Sequence, residues 1–256
     1  MTDKDKDSPA AQESSAVENG KETLRMLVFA MLIALTVRTF VYEPFNIPSS
    51  SMIPSLLVGD FLFVSKYSYG YGSQGTFLGF IPFKGRIGGG EPKRGDIVVF
   101  KLPRDPSVDY IKRLIGLPGD TVQMRQGLLY INGVPVERSR LPTLAEEEAT
   151  KPPANAVDYT EFLPQGPEHI IRKLSDDQQL DNTEVFSVPP HHYFFMGDNR
   201  NNSQDSRTTN VGFVPEENLV GRAELLFFSI DENVHFWEFW KWPWAVRWSR
   251  LLSRIN

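Results

Sequence analysis

A β-rich fold attached to one membrane-spanning helix is what this sequence predicts. Three observations lead there. Prolines and glycines number 19 each and aromatics make up 12 % of the chain, among many short apolar runs; that mixture favours strands and turns over long helices. One segment near the N-terminus is apolar for long enough to cross a bilayer. The runs after residue 46 are short, β-branched and aromatic, and three of them follow a Gly-Asp pair.

The chain's 256 residues suffice for one large domain or two small ones with a real hydrophobic core. A net charge of −5 argues against a nucleic-acid partner, which would need a basic face. The absence of cysteine excludes thiol catalysis, thiolate metal sites and disulfides, and says nothing about compartment.

Residues 1–23 carry six acids against three lysines and few large apolar side chains, the composition of a disordered tail. Residues 24–42 then read "LRMLVFAMLIALTVRTFVY", apolar except for Arg25, Thr36, Arg38 and Thr39. Nineteen helical residues rise about 28 Å, close to the hydrocarbon thickness of a bilayer. A buried core helix and a cleavable signal peptide are the rival readings. The acidic lead-in and the lack of an A-x-A site in "TFVYEPF" favour an uncleaved anchor. Lys21 and Arg25 on one side barely outweigh Arg38 on the other, so charge leaves the orientation open.

From residue 46 the strand candidates are "DFLFVSKY", "DIVVFKL", "DYIKRLIGL" and "TVQMRQGLLYING". Gly59-Asp60, Gly95-Asp96 and Gly119-Asp120 sit before such runs, as turn residues should. Residues 136–184 are acidic, proline-containing and weakly patterned, and read as a loop-rich insertion. Strands and turns return from "EVFSVPPHHYFFMGDNR" onward. The five tryptophans all fall between Trp237 and Trp248. On a helix begun at residue 244, Trp244, Trp248, Leu251, Leu252 and Ile255 form one stripe beside Arg247, Arg250 and Arg254. Such a helix would lie in the membrane interface or pack on the domain.

Several matches carry no chemistry. "GYGSQG" fits G-x-G-x-x-G, but "TFLGFIPF" after it is no helix to face a phosphate. Arg94-Gly95-Asp96 reads better as a turn than as an adhesion tripeptide. His191 or His192 could serve a Ser-His-Asp triad, although adjacent histidines in a Pro-Pro-His-His turn point apart. Lys112 is more informative. Strand periodicity puts Tyr110, Lys112 and Leu114 on one face, a setting in which burial would lower the amine's pKa. Alone, it could equally snorkel at a sheet edge. "PSSSM" (residues 48–52) is a solvated turn unless one serine has a base.

Four blocks in order, "FNIPSSSMIPSLLVGDFLFVSKYSYG", "KRGDIVVFKLP", "YIKRLIGLPGD" and "GDNRNNSQDSRTTNVGFVPE", together with the preceding anchor, resemble bacterial type I signal peptidase. The resemblance implies a mostly antiparallel β-sheet catalytic domain with an inserted second β-domain, preceded by one transmembrane helix. The expected layout is a tail (1–23), an anchor (24–42), a catalytic domain (45–120 and 190–232), a loop-rich insert (121–189) and an aromatic basic tail (233–256). Carried onto this chain, Ser51 is the nucleophile and Lys112 the general base. Ser49 serves the oxyanion and Ser203 orients the lysine. Asp198, Asp205, Arg207 and Arg113 give structural support, with Asp205 paired to Arg207 or to Arg113. Phe45, Ile47, Met52, Leu56, Tyr110 and Ile111 match pocket positions. Ser50 stands where the family often has glycine, and is expected to be a spacer with a dispensable hydroxyl. No cofactor or metal is implied. The partners implied are secretory preprotein signal peptides and the lipid bilayer. The implied location is the bacterial inner membrane, single-pass, with the catalytic domain on the periplasmic side. Two rivals remain: a non-catalytic tethered β-domain in which "PSSSM" is a solvated turn, and a self-cleaving serine-lysine protease of the repressor type, which would need a DNA-binding domain that nothing here resembles.

Overall fold

Three Gly-Asp turns set the strands of this protein, and all three are closed by the same device. In each, glycine takes the third place of a four-residue turn at positive φ (Gly59 87°, Gly95 93°, Gly119 90°), a conformation that β-carbons disfavour. The aspartate that follows donates its N–H to the carbonyl three residues back. Its carboxylate accepts the N–H of that same residue: Leu57 to Asp60, Lys93 to Asp96 and Leu117 to Asp120. At Gly59 the room is also limiting, since a β-carbon would come 2.1 Å from the Ile230 carbonyl oxygen.

The structure, a computed structural model, describes residues 9–72, 86–142, 155–234 and 237–255. Residues 1–8 of the tail, most of the G-x-G-x-x-G match with the run after it, residues 143–154 of the insertion, and His235 lie outside them. The chain divides into two units, Met1–Val41 and Tyr42–Asn256.

The first unit is one helix, Pro9–Phe40. It begins inside the segment expected to be disordered; Pro9 suits a first helical position, and "AAQESSAVEN" is rich in helix formers. Gly20–Phe40 is long and apolar enough to cross a membrane, and its large side chains are exposed all round rather than buried as a core helix requires.

In the second unit the main sheet is antiparallel. Its order is Tyr42–Asn46, Asp60–Ser65, Leu219–Ser229, Ile97–Leu102, Asp105–Gly116, His192–Met196 and Val214–Pro215, with Ser253–Arg254 joining Leu219–Ser229. The Asp105–Gly116 strand changes character along its length. Its first five residues are exposed, and from Lys112 onward every side chain is buried. Alternation sends Leu114 and Tyr110 to one cluster and Ile111 to another.

The insertion is more ordered than expected. Thr121–Arg125, Leu128–Ile131, Val134–Pro135 and Phe186–Ser187 make a four-stranded sheet. Glu137–Arg140, Val157–Phe162 and Glu168–Lys173 make a three-stranded one. Val122, Met124, Leu129 and Ile131 share a core with Ile115, Phe194 and Met196 of the main sheet, so the insert is built onto it. The hairpin Val157–Phe162/Glu168–Lys173 was hidden because Glu161, His169, Arg172 and Lys173 are among its buried residues. An ionic inner face leaves no hydrophobic period to read.

The C-terminal tail is not the expected amphipathic helix. It is broken into the short turns Phe239–Lys241, Trp242–Ala245 and Trp248–Arg250, then a strand. Fully buried Asp60 is the reason. Arg250 reaches it at 2.6 Å and donates to the Ser55 carbonyl, while Arg247 donates to the Val58 carbonyl. The arginines therefore turn inward and Trp244 (85 % exposed), Trp248 and Leu252 turn outward, while Ile255 packs at the core's edge.

Removing the carboxylate leaves Arg250 and Arg247 without their ion-pair partner. Asp60→Ala should therefore lower unfolding free energy by about 3 kcal/mol in denaturant titrations of the detergent-solubilised chain. A loss under about 0.5 kcal/mol, the range of ordinary surface changes, would show that the tail is held otherwise.

Candidate active site

The three serines leave the Tyr42–Asn46 strand on an extended Ser49 and enter a single 3-10 turn, Ser50–Met52. Burial of Met52 and Ile47 on either side pins that turn to the sheet. From across the sheet, Asn199 donates its N–H to the Ser51 carbonyl (3.1 Å) and its Nδ2 to the Ser50 carbonyl (3.0 Å). Asn202 Nδ2 donates to Ser50 Oγ at 2.8 Å, so Ser50 is more than a bare spacer.

Lys112 comes in from the buried half of its strand. Its Nζ lies 2.8 Å from Ser51 Oγ and 2.9 Å from the Ile111 carbonyl, with the Tyr110 ring centroid at 5.1 Å. Lys112 is 4 % and Ser51 8 % exposed. Burial pushes the amine's pKa down to about 8, and the carboxylates of Asp205 and Asp198 limit the fall. Ser49 Oγ sits 3.3 Å from Ser51 Oγ at the exposed mouth.

Ser203 does not take the expected place. Its Oγ is buried against Gly197 and makes no hydrogen bond to Lys112, whose second contact is the carbonyl of its own neighbour, Ile111. Between the two alternatives for Asp205, the partner is Arg207, through two bonds of 2.8 Å, and Gly197 N–H adds a third at 3.0 Å. Arg113 instead forks onto Asp198 at 2.9 and 2.8 Å, with Ser55 Oγ also on that carboxylate. Burial opposes ionisation of both aspartates, but Arg113 and Arg207 outweigh it and hold their pKa values below the ordinary range.

Of the six expected pocket residues, Ile47, Met52 and Leu56 are buried in one cluster and form a floor. Phe45 and Ile111 are half-buried at its margins, whereas half-buried Tyr110 packs on the neighbouring cluster around Phe100 and Leu114. The histidines have other partners: His191 faces Glu216 and His192 the Pro190 carbonyl. Among the described residues no three His, Asp or Glu side chains gather as a metal cluster. Sequence reasoning missed Asn199, Asn202 and Ser55. The asparagines lie in the "GDNRNN" block, but nothing in their spacing says which backbone groups they hold.

A family model described as signal peptidase, peptidase S26, matches residues 20–228. Signal peptidase I of Rickettsia conorii is 43 % identical over 234 residues, covering 88 % of this chain and 85 % of its own. That of Rickettsia canadensis is 44 % identical over 222 residues, covering 84 % and 81 %. Among solved structures, a signal peptidase I from Enterococcus faecalis is 31 % identical, with a TM-score of 0.32, over 52 % of this chain and 97 % of that one.

Gly197 is where this site has least slack. A methyl there would meet Ser203 Oγ at 2.3 Å and the Ser51 carbonyl oxygen at 2.5 Å. Gly197→Ala should cost about 1–3 kcal/mol of stability, as overpacking does. Thermal unfolding measures it, and Gly197→Ala combined with Ser203→Gly should recover part of the loss. No recovery would mean that the backbone contact dominates.

Proposed function

The chain belongs to the signal peptidase I family of S26 peptidases, hydrolases that remove signal peptides from preproteins, and on that premise we propose that it works through Ser51 as nucleophile and Lys112 as general base. The observation that carries this reading is the 2.8 Å approach of a buried lysine amine to a buried serine hydroxyl.

With a pKa of about 8, roughly a tenth of the amine is neutral at pH 7, against about one in three thousand at the ordinary value. The neutral amine takes the Ser51 proton as Oγ bonds to the scissile carbonyl carbon. The oxyanion that forms is met by Ser51 N–H and Ser49 Oγ. Protonated Lys112 then gives its proton to the leaving amine as the C–N bond breaks, leaving an acyl-enzyme on Ser51. Water deprotonated by Lys112 attacks the ester, and the proton returns to Ser51.

Substrate placement follows from the sheet. Among the described residues, the Asp105–Gly116 strand pairs with Ile97–Leu102 up to Arg113, and its second neighbour, His192–Met196, joins only at Arg113. Residues before Lys112 thus present an open edge to which an extended preprotein segment can add. The filled floor under Phe45 and Ile111, with Tyr110 beside Lys112, favours small side chains, typically alanine, at −1 and −3. Gly20–Phe40 serves as a single-pass anchor in the bacterial inner membrane, with the catalytic unit on the periplasmic side, where cleavage sites emerge. Exposed Trp237, Phe239, Trp240, Trp244 and Trp248 suit a bilayer interface.

Three outcomes are expected. Ser51→Ala and Lys112→Ala should abolish preprotein cleavage, and Ser49→Ala should lower kcat by about 10²–10³; retained activity in Lys112→Ala would end the dyad. Because the neutral amine is the active form, kcat/KM should fall tenfold per pH unit below an apparent pKa near 8 and level off above it. Replacing Trp240, Trp244 and Trp248 with serine in residues 42–256 should cut vesicle flotation at least about tenfold; unchanged flotation would remove the tail from membrane contact.

A further inference from the structure

The insertion's ionic face meets residues 198–200, and Asn199 among them holds the catalytic turn. Glu161 and Arg200 are each 1 % exposed. Arg200 Nη1 donates to Glu161 Oε1 at 2.7 Å, and Nη2 makes a second bond to Oε2. The main chain is stitched beside them: Arg172 N–H donates to the Asp198 carbonyl (2.9 Å) and Arg200 N–H to the Arg172 carbonyl (3.0 Å), which brackets Asn199 in a parallel bridge. Arg207 Nη2 holds the Arg200 carbonyl from the other side at 2.8 Å. Asn199 is the residue that holds the carbonyls of Ser50 and Ser51, and Asp198 is the residue that holds Arg113, next to Lys112.

We propose that Glu161, in the inserted hairpin, is a positioning residue for the peptidase reaction: by fixing Arg200 it fixes residues 198–200, and through them the Ser51 turn and the lysine strand. This deepens the Ser51 and Lys112 reading and rests on it. The argument is one of geometry. A buried ion pair adds little net stability, and an apolar pair of similar size would fill the space as well. An apolar pair cannot fix the plane of a guanidinium, whereas two parallel bonds to one carboxylate do. His169, whose Nε2 lies 3.4 Å from Glu161 Oε2, is neutral there, since burial pushes its pKa down to about 4. It therefore leaves the carboxylate's charge to Arg200. Nucleophile and base are only one carbonyl contact and one ion pair away from residues 198–200, so small shifts there reach the 2.8 Å contact.

The test uses the full chain in detergent, with a preprotein substrate and an acylating β-lactam to count working serines. Glu161→Gln should lower kcat per titrated site about tenfold, as sub-ångström misplacement does, with KM within about twofold. The charge-free double variant Glu161→Leu/Arg200→Met should return the melting temperature toward that of the unaltered chain and leave kcat low. If Glu161→Gln melts earlier yet keeps its titrated kcat, or if the double variant restores kcat along with stability, the pair merely fastens the insert and the proposal falls. Should the double variant fail to accumulate, the titrated kcat of Glu161→Gln decides alone. An unaltered chain that cleaves preprotein without being acylated overturns the Ser51 reading itself, a result separable from either.

Discussion

An amine kept out of water is the constraint on which the rest of this structure depends. Lys112 can share a 2.8 Å contact with Ser51 in the neutral form only if its surroundings withhold solvation from the charged form. Every nearby negative charge works the other way, and two buried carboxylates, Asp198 and Asp205, are close enough to matter. Each is matched by a guanidinium in a two-bond fork, Arg113 for one and Arg207 for the other. The dense ionic block at residues 197–207 is thus what a desolvated lysine requires of its neighbours. It supplies hydrogen-bond acceptors to hold the backbone while leaving little unbalanced charge to keep the amine protonated.

The same block explains why the site is assembled from distant segments. The serine turn has few partners of its own. Its carbonyls are held by Asn199, its hydroxyl edge by Asn202, and its downstream arm by Asp198 on Ser55 and by Arg250 on the Ser55 carbonyl. A short 3-10 turn cannot hold a side chain steady by its internal bonding. Rigidity is imported from the sheet, the insert and the tail.

What could be read from the sequence divides along physical lines. Gly-Asp turns, strand alternation around Lys112 and a long apolar helix near the N-terminus are local patterns that the structure also contains, although the helix runs from Pro9 to Phe40 and Tyr42 opens a strand. The aspartate partners could be narrowed only to alternatives, because a fork of equal quality can be drawn to either arginine until the backbone is known. Ser203 was misplaced for a related reason: the second partner of Lys112 is the Ile111 carbonyl, a backbone group with no side-chain signature. The tail misled because Trp and Arg at helical spacing look amphipathic, while the decisive term was a single buried carboxylate nearly two hundred positions upstream. The inserted hairpin was invisible for the opposite reason. It buries charge where a pattern reader looks for hydrocarbon, so Glu161 and Arg200 become meaningful only as a pair.

The hold of Arg247 and Arg250 on Asp60 has a consequence in time as well as space. Asp60 and Arg250 are 190 positions apart in the chain. During synthesis the Gly59-Asp60 turn, and with it the arm that leads down from Ser51, emerges long before its cationic partners do. A nascent chain can therefore dock its lysine strand and fold its insert while the nucleophile's arm still has its buried carboxylate without a countercharge. The arm below Ser51 thus gains its full set of partners later than the lysine strand does. Until Arg250 has emerged, the proposed Ser51–Lys112 pair stands above an arm whose buried carboxylate is still uncompensated.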